Sequence, residues 1–361
     1  MPKKSISSLE LAALVNELQF LIKGKFDQIY HQEKDQLLLQ LHVPSKGKHL
    51  LKVIPGKFLS LTSAKETALK PSSFCMQLRK YLANAFIKNL YQKDSERIVI
   101  FELEKLESYF LIIELFSKGN IVLTDKNNVI IAALEHQEWK DRTVKPKEKY
   151  VFPPLEINWK ELGAKKLQGM LKKSQKRNLA ISLATEIGLG GLYAEELCRQ
   201  AEVDLHKIPA EISAEETERL ISTLHNFMIA ITTPKGFIYE EDITPFPLLE
   251  KKALKETETY NEAIDSIKLS EKPSPYQTRI KTLQRTIAEQ EEAMKNQKEK
   301  IIIATQKGEL MYEKYTALQK MREIVEELKK NKNWNEIAKE LKKEKKITKI
   351  NLEKKLITIE L

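Results

Sequence analysis

Residues 188–197 read Gly-Leu-Gly-Gly-Leu-Tyr-Ala-Glu-Glu-Leu, which fits the glycine and alanine spacing of a helix-hairpin-helix. Gly188, Gly190 and Gly191 permit a tight turn with positive φ. The helix that follows presents free N–H groups and the positive end of its dipole. That geometry binds a phosphate without reading a base. An ordinary corner between two helices uses the same glycines, and Ala194 favours close packing under both readings. A second candidate is Asp94-Ser95-Glu96-Arg97-Ile98-Val99 at the start of a strand. Arg97 offers a planar fork for phosphate, and Glu96 beside it suits holding that fork or accepting from a ribose hydroxyl. A surface ion pair is the competing reading. Glu10 stands three residues after Ser7, the spacing of a capping box, which needs no further role. Lys70-Pro71-Ser72-Ser73-Phe74 followed by Arg79-Lys80 describes a capped helix with a basic face, open to phosphate or simply solvated.

Other chemistries find no residues. The six histidines, His31, His42, His49, His136, His206 and His225, show no metalloprotease spacing. There is no GxxxxGK[ST] loop and no GxGxxG after a strand, so ATP or NAD chemistry is not expected. Cys75 and Cys198 are far apart and outside any CxxC pair, so no zinc site is expected and each reads as a reduced, buried thiol. We expect no metal, no cofactor and no catalytic side chain.

The elements that must position these residues follow from periodicity. Residues 7–23 carry Leu9, Leu11, Leu14, Val15, Leu18 and Ile22 at helical spacing. From there to about residue 134, short apolar runs alternate with turn signals such as TDKNNV, interrupted by one helix at SSFCMQLRKYL. This predicts an α+β protein that opens with an antiparallel sheet or sandwich and two helices, over residues 1–155. A helical, helix-hairpin-helix domain is expected over 156–250, and a linker (SEKPSPYQ) with a coiled-coil arm over 251–332. Heptad positions Ile280, Leu283, Ile287, Met294, Ile301, Met311, Tyr315, Leu318 and Val325 mark the arm. Residues 333–361 end in KINLEKKLITIEL, two strands of a hairpin and the start of a further domain.

The chain has 361 residues, room for about two or three domains. Its net charge of +10 and pI near 9.2 suit a polyanionic partner. Residues 277–346 hold 18 Lys and Arg against 12 Asp and Glu, so the arm is basic. Met1-Pro2-Lys3-Lys4 leads into an amphipathic pattern and not a signal sequence, and no apolar run approaches a membrane span, which points to the cytoplasm.

Read together, SLELAALVNEL, KFDQIYHQ, PSSFCMQLRKYL, ERIVIFEL, LIIELFSKGNIVLTD, YVFPP, LATEIGLGGLYAEELC and KINLEKKLITIEL resemble the NFACT family of ribosome-associated quality control factors, in the family's order. The wording GNIVLTD is similar to the archaeal–eukaryotic branch. The resemblance implies a factor that holds a tRNA on the large ribosomal subunit while its arm reaches the proteins at the stalk base. It implies support for untemplated C-terminal tailing, with alanine in bacteria, the bond being made by the ribosome itself. By resemblance, Glu10, Glu96 and Arg97 are the tRNA-binding and tailing residues. Arg79, Lys80, Gly188, Gly190 and Gly191 are the candidates for RNA phosphate. The family has Asp at the positions of Glu10 and Glu96, so each acid here is one methylene longer. Family members also continue into a second coiled-coil helix and a C-terminal RNA-binding domain, so a separate chain supplying that half is one expectation. Two other readings stand beside this one. A formamidopyrimidine-type DNA glycosylase would use Pro2 as its amine, although Lys3 replaces the acid required next. A fibronectin-binding adhesin would need export, for which there is no signal.

Overall fold

The Ser7–Glu10 capping box forms in the computed structural model. Ser7 Oγ accepts the Glu10 backbone N–H at 3.2 Å, and the Glu10 carboxylate accepts the Ser7 N–H at 2.7 Å. It starts α1 (Ser8–Glu17), which is shorter than the helix expected over 7–23. A 3₁₀ turn over Leu18–Leu21 ends it, and Lys23 at φ +71° turns the chain into the first strand. The structure describes the chain except residues 1–2, 4, 34–35, 66–70, 140–141, 156, 267–274, 342–346, 352–355 and 360–361, and the side chains of 32–33, 275–281, 348–350, 356 and 359. Pro2, Lys70 and most of the expected linker therefore lie outside the described residues, as does the Ile280 side chain.

The strand-like runs become β1 (Lys25–Glu33), β2 (Gln36–Val43), β3 (Gly47–Ile54) and β4 (Phe58–Thr62). After α2 (Ser73–Leu82) come β5 (Phe86–Gln92), β6 (Ile98–Glu104), β7 (Ser108–Glu114), β8 (Asn120–Asp125) and β9 (Ile130–Ala133). Of the antiparallel sheet or sandwich expected, the sheet forms, and the sandwich-like reading is corrected. These strands form one antiparallel sheet of nine, in the order β4-β3-β2-β1-β5-β6-β7-β8-β9. Consecutive strands joined by short turns pair with their neighbours, which makes two meanders. The meanders meet at a single registered pair, Lys25 with Phe86. Leu9, Leu14 and Leu18 of α1 pack in one core with Leu39, Leu41 and Val53 of the first meander and Val99, Phe101 and Leu111 of the second. Ile98, Ile100, Ile112 and Val122 face the other way, into a second apolar cluster with Tyr150. β6 is thus buried on both faces over Ile98–Phe101, which explains the unbroken apolar run there.

The TDKNNV turn forms as expected, with Asp125 Oδ1 accepting the Asn127 and Val129 N–H groups at 2.8 Å. The turn before β8 is held by close backbone approach. Gly119 has φ +71°, and a Cβ on it would stand 1.9 Å from the Gly56 nitrogen. A small separate hairpin, β10 (Gln137–Trp139) and β11 (Arg142–Val144), precedes the helical region.

That region comprises α3 (Ala164–Leu171), α4 (Leu179–Thr185), α5 (Gly191–Gln200) and α6 (Ala214–Ala230). A three-stranded sheet of β12 (Gly236–Ile238), β13 (Ile243–Thr244) and β14 (Lys255–Thr257) follows, then α7 (Tyr260–Asp265). Polar bonds tie these elements to α1. Trp159 Nε1 donates to Ser8 Oγ at 2.9 Å and Asn16 Nδ2 to the Ile231 carbonyl at 2.8 Å. Glu17 accepts the N–H groups of Tyr260 and Asn261, at 2.6 and 2.8 Å. Met1–Leu269 accordingly form one compact unit.

The second unit, Ser270–Leu361, contains α8 (Pro275–Glu313), α9 (Tyr315–Asn331), α10 (Trp334–Leu341), β15 (Ile347–Asn351) and β16 (Leu356–Ile359). α8 has 39 residues, about 58 Å of helix. The heptad residues Leu283, Ile287, Met294, Ile301 and Met311 face solvent along it. β15 and β16 pair antiparallel, the hairpin read from the sequence.

Candidate functional site

Glu10 is almost wholly buried, at 1% exposure, and both its oxygens are engaged. Oε2 completes the capping box. Oε1 accepts from Lys3 Nζ at 2.5 Å and from the Tyr193 hydroxyl at 2.6 Å. Lys3 Nζ also donates to the Ile243 carbonyl at 2.6 Å. Burial, with the Glu10 charge alongside, pushes the phenols of Tyr193 and Tyr260 far above their usual range. Glu10 therefore joins α1, the N-terminal segment and α5.

The turn from β5 to β6 stands against the same place. Asp94 takes φ +49°, and the Glu96 N–H closes on the Lys93 carbonyl at 2.9 Å. Ser8 Oγ donates to the Ser95 carbonyl, Ser95 Oγ to the Ile157 carbonyl at 3.2 Å, and Gln92 Nε2 to the Glu96 carbonyl at 2.8 Å. These bonds fix the backbone of Ser95 and Glu96. Arg97 is half-buried, and Nη1 donates to the Ile6 carbonyl at 3.5 Å, with no ion pair among the described residues. Burial lowers its basicity, while the Glu96 and Glu10 charges work against that. Burial raises the Glu96 carboxyl above its usual range, with the Arg97 charge opposing.

The α4–α5 corner supplies the opposite wall. Gly188 and Gly190 have φ +80° and +81°, so the turn needs glycine at both. Gly190 caps α5 without a side-chain bond, leaving the first-turn N–H groups uncapped. A Cβ on Gly191 would meet nothing within 4 Å. Here the glycine leaves the helix end open.

All three groups line one cavity of about 1050 Å³. Glu10, Glu96, Arg97, Gly188, Gly190 and Gly191 are on its wall, together with Lys3, Glu186, Glu241 and Asp242. The α5 N-terminus and Arg97 are two groups on this wall whose chemistry suits phosphate. The acids suit hydroxyl or N–H donors. Arg79 and Lys80 are elsewhere. Arg79 Nε donates to the Ile29 carbonyl at 2.8 Å and its guanidinium lies over the Tyr30 ring, while Lys80 is exposed beside Tyr81. Reading the sequence missed Lys3, Tyr193 and Trp159 as supports. Tyr193 sits inside the glycine motif and was the one with a signal. Cys75 and Cys198 are buried and free, and among the described residues no cluster of His, Cys, Asp and Glu is placed to hold a metal ion. No described helix is long and apolar enough to cross a membrane.

Comparison with known proteins gives concordant matches. A family model described as NFACT N-terminal and middle domains matches residues 7–268. The archaeal Rqc2 homolog aRqcH of Methanocaldococcus jannaschii is 30% identical over 361 residues, covering 92% of this chain and 53% of that protein. The ribosome quality control complex subunit NEMF homolog of Drosophila melanogaster is 25% identical over 221 residues, 60% of this chain and 22% of its own. The chain thus spans about half the length of the archaeal relative and less of the fly one. Among solved structures, the fibrinogen binding protein from Staphylococcus aureus superimposes with a TM-score of 0.60 at 20% identity, over 73% of this chain and 99% of that one. That likeness concerns the fold alone.

Proposed function

Because this chain belongs to the NFACT family, we propose that it works in ribosome quality control, holding a tRNA on the large ribosomal subunit beside a stalled nascent chain. The ribosome's own peptidyl-transferase centre then makes the bond, and the tail is alanine. The factor contributes orientation, which converts an encounter into a positioned step. The names of the relatives support the pathway: the fly homologue is a ribosome quality control complex subunit. The full relatives are longer, so the activity of the whole assembly is part of the proposal.

The observation that carries the reading is the single cavity. It brings the Glu96–Arg97 turn against the uncapped N-terminus of α5. Arg97 and the α5 amides hold phosphate oxygens, and Glu96 accepts from a ribose hydroxyl or a base N–H. Glu10 keeps the two walls in register. Lys80 offers a separate phosphate contact on the exposed face of α2, with Arg79 as its anchor to the sheet. The long, exposed α8, with the basic excess of residues 277–346 concentrated beyond it, suits an arm reaching ribosomal RNA and the stalk-base proteins.

The test is Arg97→Ala in a binding assay with labelled tRNA. Losing one charge-assisted contact weakens binding by about tenfold. It also makes the slope of log K against log salt shallower by about one. The emission of buried Trp159 stays as in the wild type. Unchanged affinity and slope in a folded variant would remove Arg97, and the cavity with it, from the tRNA contact.

A further inference from the structure

Residues 164–177 carry six basic side chains and no acidic one. Lys165, Lys166, Lys172, Lys173, Lys176 and Arg177 are all exposed. Elsewhere in this unit, several basic side chains find acids: Arg199 with Glu195, Lys207 with Glu216, Arg219 with Glu215. These six make no ion pair among the described residues.

α3 also breaks two local rules. Lys165 and Lys166 sit in its first turn, where the helix dipole disfavours cations, and the turn has neither an acid nor a capping side chain. Gly169 sits mid-helix, where glycine weakens a helix relative to alanine. Packing does not explain it, since a Cβ there would meet nothing within 4 Å. At 3.6 residues per turn, Lys165, Lys166 and the C-cap Lys172 span an arc of about 120° with Gly169 at its centre, and Lys173 follows in the turn that ends the helix. Leu167 and Leu171, both buried, lie on the opposite side. Four cations around an exposed gap describe a surface onto which a phosphate ridge can settle.

We propose that this face of α3, continued by Lys176 and Arg177, is a second RNA contact that grips the sugar–phosphate backbone of a helical stem. The inference rests on reading the chain as an RNA-binding factor. Cations grouped without acids match a continuous polyanion. The missing side chain at Gly169 lets the backbone approach the helix closely. A membrane surface fits poorly, because the face offers no apolar side chain to insert beside its lysines.

The probe is a short blunt RNA duplex with no loop or unpaired base, titrated against the full chain by fluorescence anisotropy at several salt concentrations. The variant K165Q/K166Q/K172Q/K173Q should bind it at least tenfold more weakly, with a salt slope shallower by about 3. Gly169→Ala, which substitutes a better helix former and so keeps the fold, should weaken binding several-fold. Unchanged duplex affinity and slope in the quadruple variant would overturn the proposal. So would wild-type binding to polyglutamate or phosphatidylserine vesicles as strong as to the duplex. If duplex binding ignores the lysines while tRNA binding still depends on Arg97, the patch fails and the cavity stands. The converse result spares the patch and removes the cavity.

Discussion

Replacing Glu10 by Ala perturbs three partners at once, and the cost follows from what each loses. Lys3 Nζ, 8% exposed, keeps only the Ile243 carbonyl. Leaving a buried charge without its partner costs about 3–5 kcal/mol. The Tyr193 hydroxyl, buried in α5, loses its acceptor, which adds about 1–3 kcal/mol if nothing moves to replace it. The capping box loses its return bond to Ser7. These terms share one site and do not add, so we expect a loss of about 4 kcal/mol, a large part of a typical domain's 5–15 kcal/mol. The double variant Lys3→Ala/Glu10→Ala removes the stranded charge and should recover about 2 kcal/mol or more of that loss. Urea unfolding followed by tryptophan emission suits the measurement, because Trp159 is buried and bonded to Ser8 in the turn of helix next to Glu10. A cost under 1 kcal/mol for Glu10→Ala, or no recovery in the double variant, would refute the view that this carboxylate clamps the cavity walls.

Three further outcomes follow from single contacts. Gly119→Ala drives a methyl group into the Gly56 backbone and places alanine at φ +71°, so it should destabilise by about 3 kcal/mol or more in chemical unfolding, and a neutral result would contradict the close approach. The Glu17 carboxyl is pushed up to about 7 by burial, against the two backbone N–H bonds of α7. A raised folded value means stability is greatest below pH 4.5 and falls as pH rises through 7. Relative to Glu17→Gln, the wild type should lose about 2 kcal/mol between pH 4.5 and 8, with partial exposure trimming the effect, and parallel pH profiles would refute it. Cys75 and Cys198 are both fully buried, and burial pushes the Cys198 thiol up to about 12. Neither should react with Ellman's reagent until the protein unfolds, when both should.

What the sequence made legible was local. The Ser7–Glu10 box, the Asp125 turn, the Ser72 cap of α2 and the glycine corner at 188–191 each depend on residues a few positions apart, and each is found where its spacing places it. The long-range features were not legible. A single pair, Lys25 with Phe86, turns two meanders into one sheet, and alternation along a strand says nothing about which distant strand it meets. The same holds at the site. Spacing identified Glu10 as a cap, but its bonds to Lys3 and to Tyr193, 183 residues away, depend on how α5 returns over α1. Arg79 and Lys80 show the same limit from the other side: a basic helix end looks the same in sequence whether it faces a cavity or, like Arg79, a carbonyl of its own sheet.

The cavity's walls belong to elements far apart in the chain, and polar bonds lock their separation. Lys3 and Tyr193 meet on Glu10, Trp159 on Ser8, and Ile231 on Asn16. Glu17 caps α7, whose Asn261 side chain accepts the Leu61 N–H at 2.6 Å, and Lys52 pairs with Asp265 at 2.8 Å. Opening the cavity would break several of these together, because they bridge the same two bodies. Several are also buried, where an unmade bond costs most. The site is therefore preformed. A ligand that fits gains its contacts without first ordering the walls, and one that does not fit cannot widen them cheaply. In the proposed role, selection rests on the fixed span between Arg97 and the α5 amides. This is the kind of constraint a factor needs if its contribution to a reaction made elsewhere is the placement of one partner.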